Sequence, residues 1–179
     1  VLQPTVDEMA KRGTPFSGLL YAGLALTSRG TRVIEFNARF GDPETQVVLS
    51  RLASPLSELL LASATGTLAQ LPPLQWKPES AVTVVMAAEG YPESPVAGAE
   101  ITGLDEVARE VQVFHAGTKL ADDAVVVSGG RVLSVTALGS DLHEARAHAY
   151  AGVAKIHFAG EHHRTDIALR AADGEITVP

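Results

Sequence analysis

Cysteine is absent from this 179-residue chain, which removes disulfides, thiolate nucleophiles and Cys-based zinc sites from consideration. Aromatic residues are scarce at 5%, and Trp76, Tyr91 and Phe114 stand far apart. Core or interface packing explains them more simply than base stacking. Basic side chains are outnumbered, 14 against 21 acidic, for a formal net charge of −7. That balance argues against a general nucleic-acid binder, which shows a basic surface. A nucleotide ligand stays open, because a local site can be basic on an acidic protein. No apolar run is long enough to span a membrane. No signal peptide opens the chain, and the expected location is the cytoplasm. A Gly-rich phosphate loop is missing too, since "SGGRV" reads as a hairpin turn. An initiator Met is also lacking, and "VLQPTVDEM" reads as mid-protein sequence.

What is present is material for a core. Hydrophobic residues make up 46%, enough for one large domain or two small ones. Thr5 and Glu8 have capping-box spacing, so a short helix is expected from there to Gly13. "GLLYAGLALT" (18–27) and residues 31–40 flank a Ser28-Arg29-Gly30 turn and predict an antiparallel hairpin. Asp42 and Pro43 suit an N-cap and a first helical turn, with Val47, Val48 and Leu52 facing inward. Ser54-Pro55 starts another helix, which Gly66 ends. Pro72, Pro73 and Pro78 then mark a domain boundary. Beyond it "AVTVVMAA", "VQVFHAGT" and the two halves of "AVVVSGGRVLSVTALG" are strands, the last two forming a hairpin about Gly129-Gly130. Asp141 and Glu144 open a helix whose Leu142, Ala145, Ala149, Val153 and Ile156 share one face. The tail "RTDIALRAADGEITVP" adds a short final element.

One stretch carries chemistry. In "TRVIEFNARFGDPETQ" (31–46), Glu35, Asn37 and Arg39 occupy every second position, with Ile34, Phe36, Ala38 and Phe40 between them. Alternate residues on a strand share a face, about 6–7 Å apart at Cα. A carboxylate and an amide oxygen so placed can converge on one hard cation, with phosphate and water filling the remaining positions. Arg39, one step on, can hold phosphate oxygens through its fork of donors. The helix after Pro43 offers free N–H groups for an anion. The same alternation also suits a plain half-exposed strand with a surface ion pair.

Beyond spacing, "VIEFNARFGDPETQ" closely resembles the signature of the glycinamide ribonucleotide synthetase (phosphoribosylamine–glycine ligase) family of ATP-grasp enzymes. "PFSGLLYAGLALT", "AVTVVMAAEGYP", "VFHAGTKLADD", "GGRVLSVTALG" and "RTDIALRA" resemble further runs of that family, in its order. The resemblance implies an α+β fold, with residues 1–75 as the C-terminal segment of an ATP-grasp domain. Residues 76–179 would form a small strand-rich C-terminal domain with one prominent helix. It implies joining of glycine to 5-phosphoribosylamine with ATP cleaved to ADP and phosphate through glycyl phosphate, a step of purine biosynthesis. By this similarity Glu35 and Asn37 are ligands of Mg2+ or Mn2+. Arg39 contacts the transferring phosphoryl group, and Asp42 contacts the nucleotide or caps the following helix. The family's N-terminal portion is the expected partner, and the chain alone is expected to be inactive; neither nucleic acid nor membrane is expected. Many ATP-grasp enzymes place a second metal carboxylate on the strand before Glu-x-Asn, and "GLLYAGLALT" has none. Two rival readings are a related ATP-grasp ligase or carboxylase with another acceptor, and a non-catalytic interaction domain that keeps the fold. The six histidines read as surface or structural residues, since His143 and His148 miss the i, i+4 spacing of a shared metal.

Overall fold

A computed structural model describes residues 1–176 as an α+β protein. The end of the tail, 177–179, lies outside the described residues. The chain divides into two compact units, one of residues 1–45 and 52–75, the other of 46–51 and everything from Trp76 on.

The first unit opens with helix α1 (Leu2–Lys11). It starts ahead of the expected cap at Thr5, whose hydroxyl lies inside the helix and donates to the Val1 carbonyl at 2.9 Å. Strands β1 (Tyr21–Thr27) and β2 (Gly30–Asn37) form the expected antiparallel hairpin. Its register slips once, leaving Ile34 unpaired between the Gly23–Glu35 and Leu24–Val33 pairs. This bulge carries Val33 from the row of Glu35 to that of Leu24, so both rows keep their chemical character. The strand ends at Asn37, short of the expected Phe40, and Arg39 lies in the bend beyond it. Helix α2 (Glu44–Arg51) begins two residues after Asp42. Only its first two residues belong to this unit. Helix α3 (Leu56–Thr65) ends, as expected, on Gly66 with φ +71°.

The second unit is built on a three-stranded antiparallel sheet ordered β3–β7–β4, from β3 (Ser80–Ala87), β4 (Gln112–His115) and β7 (Arg131–Gly139). Val82, Val84 and Met86 stand opposite Ala137, Val135 and Leu133, and all six are buried. Helix α4 (Leu142–Val153) packs on this face through Ala145, Ala149, Gly152 and Val153. Its small residues bring it close, since a Cβ at Gly152 would stand 3.0 Å from the Val135 side chain. The expected cap is present: Asp141 Oδ1 accepts from the Glu144 N–H at 2.8 Å, and Glu144 Oε2 reaches past the cap residue to accept from the Ser140 N–H at 2.6 Å. The opposite face of the sheet is polar. Thr83 and Thr136 share a buried hydroxyl hydrogen bond of 2.7 Å. Gln112, paired with Thr136, accepts from Ser50 of α2 at 2.9 Å. Ser50 is thus the buried residue of α2, while Val48, expected inside, is exposed.

The expected hairpin about Gly129-Gly130 does not form. Strand β6 (Ala124–Val127) pairs with β5 (Thr118–Ala121), and β7 pairs with β3 and β4. The turn that decides this is Asp122-Asp123, both at positive φ (46° and 65°). Short Asp side chains tolerate that region and close a two-residue hairpin. The tail's final element is helix α5 (Leu169–Ala172).

Candidate functional site

The hairpin and the turn after it assemble one polar cluster within the first unit. Tyr21 lies directly across from Asn37, and Gly23 from Glu35. Cross-strand partners share a face, so these four residues form one patch. Asn37 Nδ2 donates to Glu35 Oε1 at 3.0 Å, which puts the carboxylate and the amide side by side. Both are hard oxygen donors, and turning the Asn37 amide about its last torsion presents Oδ1 in place of Nδ2. The donor set therefore suits a magnesium-type cation that keeps open positions for phosphate and water. Among the described residues, no group of three or more His, Cys, Asp or Glu side chains could hold a metal.

Arg39 is not the next tooth of the same comb. It lies past the end of β2, and one of its terminal nitrogens donates to the Phe40 carbonyl at 2.9 Å. It remains close enough for its charge to act on the Tyr21 phenol, as do those of Glu35 and Glu44. The chain then passes Gly41, Asp42 and Pro43, with a cis Asp42–Pro43 peptide, and enters α2 at Glu44. There the Tyr21 hydroxyl donates to Glu44 Oε1 at 3.0 Å. That bond to a carboxylate is the main reason the phenol's pKa is raised, with desolvation and the two acidic charges adding to it. Glycine makes the room. A Cβ at Gly41 would meet Glu44 Oε2 at 2.4 Å, and one at Gly23 would stand 3.1 Å from the Glu35 Cγ.

Sequence reasoning found Glu35, Asn37, Arg39 and Asp42, and the first three gather here. It missed Tyr21. The signal was available, since a tyrosine at the start of a buried-looking strand needs a partner for its hydroxyl.

Two family models match parts of the chain. The model for the phosphoribosylglycinamide synthetase C domain matches residues 81–170, half of the chain. The chain belongs to the phosphoribosylglycinamide synthetase family. The family's ATP-grasp (A) domain matches residues 1–45, which contain the whole cluster. The chain is 67% identical over 176 residues to a phosphoribosylamine–glycine ligase of Streptomyces coelicolor, covering 96% of the chain and 42% of the relative. It is 53% identical over 179 residues to the ligase so named in Mycobacterium bovis, covering 99% of the chain and again 42% of the relative. The chain thus spans about two fifths of these relatives. The crystal structure of phosphoribosylamine–glycine ligase from Thermotoga maritima superposes with a TM-score of 0.76 at 36% identity, covering 88% of this chain and 39% of that one. A single-chain, multi-domain long-chain acyl-CoA carboxylase, at 19% identity and a TM-score of 0.61, shares the fold alone.

Several polar groups of the second unit make local hydrogen bonds. His115 Nδ1 meets the Thr118 hydroxyl at 3.0 Å, and His148 Nδ1 meets the Leu138 carbonyl at 3.0 Å. Arg164 grips Asp166 with two hydrogen bonds, which lower the Asp166 pKa and raise that of Arg164. Arg146 lies over the Tyr150 ring at 4.5 Å, and Tyr150 donates to the Arg164 carbonyl at 2.7 Å. The Tyr150 bond, with those that Arg146 donates to the Thr165 and Ile167 carbonyls, pins the tail segment to α4. No described helix is long and apolar enough to cross a membrane.

Proposed function

We propose that this chain is the C-terminal part of a phosphoribosylamine–glycine ligase, a cytoplasmic enzyme that joins glycine to 5-phosphoribosylamine at the expense of ATP. Residues 1–75 complete its ATP-grasp domain and residues 76–179 form its C-terminal domain. The observation that carries the reading is the Glu35–Asn37 pair at the end of β2, in a chain of this family. In the reaction the ATP γ-phosphoryl group passes to the glycine carboxylate, leaving ADP. The amine of phosphoribosylamine then attacks the acyl carbon, loses a proton, and phosphate departs.

Glu35 and Asn37 would hold Mg2+ or Mn2+, which when bound supplies charge neutralisation at the phosphates. Arg39 offers a guanidinium to the transferring phosphoryl oxygens, exchanging its contact with the Phe40 carbonyl for a stronger charge-assisted one. Asp42 lies at the mouth of α2, where nucleotide contacts are expected. Phosphoryl transfer asks mainly for positioning and charge, which these residues can give.

In the intact ligase, Glu35→Gln is expected to cut turnover by ~100-fold or more while the melting temperature holds. Mn2+ binding followed by paramagnetic resonance should weaken in parallel. Turnover near the wild-type level would remove the ligand assignment. The 179-residue chain by itself is expected to form no glycinamide ribonucleotide from ATP, glycine and phosphoribosylamine.

A further inference from the structure

Tyr21 occupies the middle of the cluster without belonging to the row that the sequence advertises. Its ring is flanked by two glycines. A Cβ at Gly23 would stand 3.6 Å from Cε1 and one at Gly41 3.4 Å from Cε2. Its hydroxyl bridges β1 to the first turn of α2 through Glu44. It ties the residue that directly follows the 38–43 segment to the hairpin face bearing Glu35 and Asn37. Gly41 is buried, and a side chain there would occupy the place of the Glu44 carboxylate.

We propose that Tyr21 is a positioning residue: by holding Glu44 it fixes the turn that carries Arg39 and Asp42 at the Glu35–Asn37 end of the hairpin. The proposal rests on the ligase reading above. Its physical basis is a charge-assisted hydrogen bond of 3.0 Å made by a stiff side chain. Tyrosine has only two side-chain torsions, so little freedom is left for the turn to wander. Phosphoryl transfer is sensitive to such placement, since an error of about 1 Å can cost about 100-fold in rate.

A double-mutant cycle on the intact ligase tests it. Tyr21→Phe and Glu44→Ala are each expected to lower kcat by ~10-fold or more, and the double variant to fall no further than the worse single one. Packing alone would make the two losses multiply, and that outcome overturns the proposal. The melting temperature of each variant is measured beside kcat: Tyr21→Phe is expected to hold the wild-type value, and a loss of kcat that only tracks a fall in melting temperature overturns the proposal as well. Glu35→Gln separates the two claims. If Glu35→Gln is inactive while the cycle is multiplicative, only the role of Tyr21 falls. If Glu35→Gln is active, the ligase-site reading itself falls.

Discussion

The β3–β7–β4 sheet and the β1–β2 hairpin treat apolar side chains in opposite ways. In the β3–β7–β4 sheet Val84, Met86, Val132, Leu133 and Val135 are wholly buried. In the β1–β2 hairpin Ile34 is 71% exposed and Phe36 43%. The first sheet is covered on its apolar face by α4 and closes its polar face with hydroxyl and amide hydrogen bonds. The second has two strands, which in isolation are marginal in water. Stability is therefore concentrated in the sheet without the candidate chemistry, and the chemistry is concentrated in a hairpin that contributes no hydrophobic residue to the core.

Mutations can break or sharpen that contrast. The largest effect is expected from Leu133→Ala, which empties a fully buried site in β7 and should cost about 2–5 kcal/mol in urea unfolding. Ile34→Ala, at an exposed bulge, should stay within about 0.5 kcal/mol. Equal losses would erase the distinction. Next comes Gly152→Ala. On an open helix surface that change stabilises, by roughly 1 kcal/mol. Here the new methyl would stand 2.9 Å from the Val111 side chain and 3.0 Å from that of Val135. Overpacking should win, with a net loss of about 1–3 kcal/mol. Asp141→Ala removes the cap of α4 and should cost about 1 kcal/mol.

The smallest effect is one of pH. The carboxyls of Asp166 and Glu144 are held below their ordinary range, the first by Arg164, the second by the Ser140 hydroxyl and then its N–H. A depressed carboxylate adds stability above its unfolded pKa, about 4, and that stability is lost as pH falls through the folded value. Both groups are exposed, so only a shallow acid slope is expected. Asp166→Asn should flatten it, measured as melting temperature from pH 7 down to pH 3.

Local signals were readable wherever local chemistry decides the outcome. The Ser28-Arg29-Gly30 turn, the Gly66 helix stop and the Asp141–Glu144 cap depend on neighbours in sequence, and all three appear. The Glu35–Asn37 pair was legible for the same reason, because a period of two needs only a strand. The misses are cases where distant groups intervene. Gly129-Gly130 is a plausible turn, yet β7 pairs with β3 and β4, and β6 goes to the strand behind Asp122-Asp123. Ser50 turns inward because Gln112 waits there, which no helical period reveals. Arg39 leaves the row because β2 stops two residues before it. Tyr21 matters only once the turn brings Glu44 back beside it.

The pairing of β3 with β7 also sets a timetable. Val84 and Val135 are neighbours in the sheet but 135 − 84 = 51 positions apart in the chain. At roughly 5–20 residues per second, synthesis leaves β3 without its partner for about 3–10 s. The β5–β6 hairpin, closed by its two aspartates, can form well inside that interval. For those seconds Val82, Val84 and Met86, all buried in the finished sheet, form an unpaired apolar strand on the nascent chain.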